Sequence, residues 1–109
     1  MNDVLAERCD RLRDIILELT PLMIEVQGNA SRLNAVLPVV QRLRAVANDG
    51  ADGIDNPSYR QWAGGAPSNI DALEDAARAG DAEAAWRAFA DQESGVNLLS
   101  TACAGYPGW

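Results

Sequence analysis

The chain has 109 residues, 48% of them hydrophobic and 23% charged, the balance of one globular domain with a core of its own. A formal net charge of −7 excludes a phosphate-binding surface built on clustered cations and argues equally against docking on anionic lipid, so neither nucleic acid nor membrane is expected as a partner. All nine cations are arginine, and with no lysine or histidine the chain has no Schiff-base amine and no imidazole for acid–base work or metal ligation.

The first element is the clearest. Leu5, Cys9, Leu12, Ile16, Leu19, Met23 and Val26 recur at alternating steps of four and three, a helical stripe that Ile15 and Leu22 broaden. The opposite face carries Glu7, Arg8, Asp10, Arg11, Asp14 and Glu18. Pro21 removes one backbone donor, yet the stripe keeps its phase across it, which predicts a kinked helix ended by Gly28. A second helix is expected from about Ala30 to Ala47, with Leu33, Val36, Val40, Leu43 and Ala47 on one face and a kink at Pro38. Its charges are Arg32, Arg42 and Arg44, which complement the acid-rich first helix and fit an antiparallel hairpin.

Residues 48–69 are dominated by Gly, Pro, Asn, Asp and Ser, and the composition predicts a long loop there, functional or mobile. Asp49, Asp52 and Asp55 in it do not make a calcium loop, because the twelfth position, which needs a bidentate glutamate, is Arg60. Ser68 or Asn69 then caps a third helix bearing Ile70, Leu73, Ala76 and Ala77, stopped by Gly80. Asp81 caps a fourth, whose stripe is Ala82, Ala85, Phe89, Gln92, Val96, Leu99 and Cys103, with a bend or close contact at Gly95. No strand-like alternation occurs, so the fold expected is all-α: a single-domain four-helix bundle of two antiparallel hairpins joined by the loop at 48–69. In a simple up-and-down bundle Cys9 and Cys103 fall at the same end, either bridged as a disulfide or buried as neighbouring thiols.

Residues 70–103 resemble the last two helices of the cytochrome c-prime family of haem-binding four-helix bundles. The resemblance is carried by Leu73, Ala76, Ala77, Gly80, Asp81, Phe89, Gly95 and the run Ser100, Thr101, Ala102, Cys103, Ala104. It implies a helical bundle. The haem it would also imply needs a second cysteine and a histidine where this chain has Ser100 and Ala104. Trp62, Ala63 and Gly64 resemble the Trp-x-Gly turn of small helical proteins exported by type VII secretion systems, a family whose C-terminal tyrosine-and-acid signal this chain lacks after Tyr106.

No base stands ready to activate Ser100, Thr101 or Cys103, and the acids fall mostly on polar helix faces, so no catalytic residue, cofactor or metal is expected and the chain does not read as an enzyme. Trp86 and Phe89 are expected in the core. Tyr59 and Trp62 in the loop, with Tyr106 and Trp109 in the tail 104–109, either seal the ends of the bundle or stand out as partner-binding anchors. The function these features favour is non-catalytic binding of another protein or of a second copy. The alternative is a precursor or export substrate whose C-terminal segment is processed or recognised. No basic segment followed by an apolar run opens the sequence, so a cytoplasmic location is expected, although an exported chain already stripped of its signal would read alike.

Overall fold

Helix α1 runs unbroken from Val4 to Gly28, through Pro21, in a computed structural model that describes residues 3–109. Asp3 caps it, its carboxylate accepting from the Ala6 N–H at 3.1 Å. Pro21, which leaves the Leu17 carbonyl without its helical donor, sits on the exposed face of the helix and away from the core. The buried stripe is Cys9, Leu12, Ile15, Leu19, Met23 and Val26; Ile15 takes the inner place expected of Ile16, which is only half-buried.

The second element begins as a 3-10 segment, Ala30–Ala35, and becomes helix α2 at Val36–Asn48. The kink expected at Pro38 is instead this junction, with Pro38 in the first turn of α2, where a missing donor costs nothing. All five residues of the expected stripe are buried, joined by Val39 and Val46. Glu25–Arg32 at 3.1 Å and Glu18–Arg42 pair the acidic first helix with the basic second segment.

The long loop expected at 48–69 is not there. Only residues 49–56 connect, and helix α3 spans Pro57–Ala79. Asn56 caps it, accepting from the Tyr59 N–H at 3.0 Å, with Pro57 in the first turn. Gly64, Gly65 and Pro67 are poor helix formers, but the turns carrying them bury Tyr59, Trp62, Ala66 and Ile70, so packing overrides propensity. Gly65 also has a steric use: a Cβ there would lie 3.0 Å from Ser94 Cβ. Trp62–Ala63–Gly64 is therefore mid-helix and forms no turn.

Gly80, at φ 72°, ends α3 in the left-handed conformation, and Asp81 caps helix α4, Ala82–Phe89, through the Ala84 N–H at 3.0 Å. The fourth helix expected to reach Cys103 breaks after Phe89. A turn at 90–96 intervenes, and α5 is the short helix Asn97–Ala102. Asp91 organises that turn, its Oδ1 accepting from the Glu93 and Ser94 N–H groups and the Ser94 hydroxyl. Gly95 closes it, because a Cβ there would meet the Asp91 carbonyl at 2.4 Å. Gln92 consequently drops out of the stripe and is exposed, whereas Ala85, Phe89, Val96, Leu99 and Cys103 are buried.

All described elements are helical and share one apolar core. Gln27 of α1 donates to the Ala82 carbonyl at the start of α4, and Cys9 of α1 meets Cys103 beyond α5. The chain from 82 to 103 thus runs antiparallel to α1. No described helix is long and apolar enough to cross a membrane.

Candidate functional site

Cys9 and Cys103 are joined in a disulfide, with Cα atoms 5.7 Å apart and a sequence separation of 94, and no cysteine is free. Both are buried. The segment after it folds back over α1. Tyr106 donates its hydroxyl to Asp3 Oδ2 at 2.8 Å, the Trp109 indole N–H donates to the Cys9 carbonyl at 2.9 Å, and Arg13 donates to the Pro107 carbonyl at 3.4 Å. Glycines 105 and 108, at φ 90° and 86°, make the required turns. The Tyr106 hydroxyl and the Ala6 N–H hold the Asp3 carboxyl below the usual range, and the same carboxylate pushes the Tyr106 phenol up. Tyr106 and Trp109 are half-buried in this docked tail.

Tyr59 and Trp62, the other expected anchors, are 0% and 1% exposed, so neither is available to a partner. They line the core face of α3 with ring centroids 5.5 Å apart. The Tyr59 hydroxyl and Arg8 Nε are buried without a hydrogen-bond partner, while Arg8 Nη1 donates to the Gly50 carbonyl at 2.8 Å. Burial pushes the Tyr59 phenol up, and the Arg8 guanidinium beside it opposes the shift.

The exposed large apolar side chains lie elsewhere. Leu17 and Ile24 on α1 are 64% and 60% exposed, and Trp86 on α4, expected in the core, is 38% exposed. Leu17 and Ile24 are two turns apart on one face, with exposed Pro21 between them. A small hollow bounded by Arg13, Ile16, Leu17, Gly108 and Trp109 sets the tail indole beside Leu17. At the other end, the Gln27–Ala82 hydrogen bond and the antiparallel course put Trp86, one turn after Ala82, level with the turn of α1 that carries Ile24. Leu17, Pro21 and Ile24 thus form an uncharged row on the exposed face of α1, with the Trp109 indole beside Leu17 and Trp86 at the level of Ile24. This strip was readable in part, since Leu17 and Ile24 fall off the apolar stripe of an otherwise amphipathic helix.

The opposite flank of α4 forms one side of a shallow, open cleft of about 410 Å³ against α3, bordered at one end by the 90–96 turn. Its polar lining is Ser68, Asn69, Arg87, Asp91 and Ser94. Asn69, 9% exposed, donates to the Ala88 carbonyl at 2.8 Å and to Ser94 Oγ at 3.3 Å. The turn's N–H groups hold the Asp91 carboxyl below the usual range. Among the described residues, no group of three or more His, Cys, Asp or Glu side chains is placed to hold a metal ion. Comparison with family models, with curated proteins and with solved structures finds no match to the chain.

Proposed function

We propose that this protein is a non-catalytic helical binding module that receives the apolar face of a cationic amphipathic helix from another protein on its α1–α4 strip. The reading takes α4, the turn and α5 as one interrupted fourth arm of a four-helix bundle. The observation that carries it is the exposure of Leu17 and Ile24, two large aliphatic side chains two turns apart on one exposed face. Each leaves most of its surface in water, an arrangement that a partner's apolar face would relieve.

Area and charge select the occupant. Leu17, Ile24 and Trp86 present roughly 300 Å² of apolar surface, well under the about 800 Å² per side of a stable dimer. Two copies would each bring a net charge of −7. The borders of the strip are acidic: Asp10 and Asp14 share the single cation Arg13, and Glu83 on α4 has no ion-pair partner among the described residues. A cationic helix fits both the small area and the sign, in a transient complex. The Cys9–Cys103 disulfide supports work in an oxidising compartment over the reducing cytoplasm. The precursor reading gains nothing from a tail held down by hydrogen bonds to α1.

The test is an NMR titration with a synthetic cationic amphipathic helix and a scrambled peptide of the same composition. Shifts confined to residues 13–28 and 82–89, lost in the Leu17→Asp/Ile24→Asp variant and absent with the scrambled peptide, are expected. Equal binding of both peptides would remove the basis for the reading. A dimer by light scattering that this variant dissolves would replace the foreign helix with a second copy.

A further inference from the structure

The cleft on the other flank of α4 carries an independent inference. Among the described residues, Arg11, Arg13, Arg32, Arg42, Arg44 and Arg78 are paired with carboxylates, and Arg8 and Arg60 donate to backbone carbonyls. Arg87 has neither kind of partner. The acid one helical turn on is Asp91, normally well placed for an i,i+4 pair. Here α4 has ended at Phe89, and Asp91 is committed to the 90–96 turn, with its Oδ1 taken by three donors and its Oδ2 left open. A cation and an anion therefore border one cleft without an ion pair between them.

The neutral groups point the same way. Both amide hydrogens of Asn69 are used, by the Ala88 carbonyl and by Ser94 Oγ, which leaves its Oδ1 as a free acceptor. Ser68 adds a hydroxyl, and the methyl groups of Ala72, Ala84 and Ala88 supply apolar wall and keep the volume open. The frame is closely packed: Gly65 and Gly95 are the residues that let the turn approach α3 and close on itself, and a Cβ at either would crowd its neighbours. The field of the α4 C-terminus accounts for a cation in its last turn, but not for the unused acceptors that line the same cleft.

We infer that the α3–α4 cleft binds a small zwitterion, a free α-amino acid with a short side chain. Its carboxylate is received by the Arg87 guanidinium and its ammonium by Asp91 Oδ2 and Asn69 Oδ1, with the side chain against the alanine methyls. The volume exceeds that of such a ligand, so water shares the cleft and binding is weak, at millimolar concentration. The recognition is additive: a carboxylate alone finds one partner, an ammonium alone the other, and only the zwitterion uses both.

Titration of the ¹⁵N-labelled full chain with L-alanine tests this. Saturable shifts are expected at residues 68–69, 87–88 and 91–94, with roughly tenfold weaker response to acetate or to methylammonium. Arg87→Gln, on an exposed site, and Ala88→Leu, which crowds the alanine wall where the ligand side chain would lie, should each abolish saturation. The Arg87→Gln protein should keep the helical circular dichroism of the parent. Absence of saturable shifts, an acetate response equal to that of alanine, or saturation retained in Arg87→Gln would overturn the inference.

Discussion

At the scale of single residues, the buried polar groups of this protein are unequal. Asn69 uses both of its amide hydrogens in bridging to α4 and the following turn, whereas the Tyr59 hydroxyl is buried without a partner. An unsatisfied hydroxyl in a core lowers stability, so Tyr59→Phe should be neutral or stabilising by up to about 1 kcal/mol. Urea denaturation checks this, and a loss of stability would show that the Arg8 guanidinium beside the phenol is worth more than its geometry suggests. Gly95→Ala should go the other way, at a cost of about 2 kcal/mol, because its new methyl meets the Asp91 and Phe89 carbonyls at 2.4 and 2.8 Å. The Asp3–Tyr106 bond sets a pH window for the tail. Asp3, with its folded pKa depressed, contributes above the usual carboxylate value and loses that contribution as pH falls through the lowered one. Tyr106, with its folded pKa raised, contributes below the usual phenol value and loses it as pH rises through the higher one. Trp109 fluorescence should therefore report an undocked tail at both extremes and a docked one between them, and Tyr106→Phe should remove both limits.

At the scale of elements, α3 is where sequence and structure part company. Tyr59, Trp62, Ala66, Ile70, Leu73 and Ala77 follow one another at helical steps, so the stripe was present in the sequence. The density of Gly, Pro, Asn and Ser around it concealed the period, because such residues mark loops unless buried aromatics outweigh them. Asn56–Pro57, read as turn chemistry, is a cap followed by a first-turn proline. Asn56 also donates to the Ala102 carbonyl at 3.3 Å, tying the start of α3 to the end of α5. Asn56→Ala should cost about 1–2 kcal/mol in thermal or urea melts, and Asn56→Asp, which keeps the cap, should cost less. The first two elements, by contrast, were legible almost residue by residue, since their apolar spacing is regular and their charges are complementary. The break after Phe89 was not legible, because it depends on Asp91 capturing backbone donors that a continuous helix would have used. The candidate sites divide on the same line. Leu17 and Ile24 are visible as off-stripe apolars, whereas the Arg87 cleft exists only once that break is in place.

At the scale of the whole molecule, a chain of this size buries a core that alone leaves little margin, and the Cys9–Cys103 bond is the long-range constraint upon it. Its closure of a loop with a separation of 94 residues restricts the unfolded chain, and the Cys9→Ser/Cys103→Ser variant should lose about 2–5 kcal/mol in urea unfolding. Both sulfurs are buried, so a mild reductant under native conditions should leave the bond intact until the protein unfolds. The same bond has a mechanical meaning. Gripped at residue 3 and at residue 109 and pulled, the molecule would carry the load through Cys9, the two sulfurs and Cys103, bypassing the helices between. Force spectroscopy should record only the release of the few residues outside the ring, with the core left folded. A cut within residues 49–56 would open the ring without dividing the molecule, so the two pieces would separate only once the sulfurs were reduced.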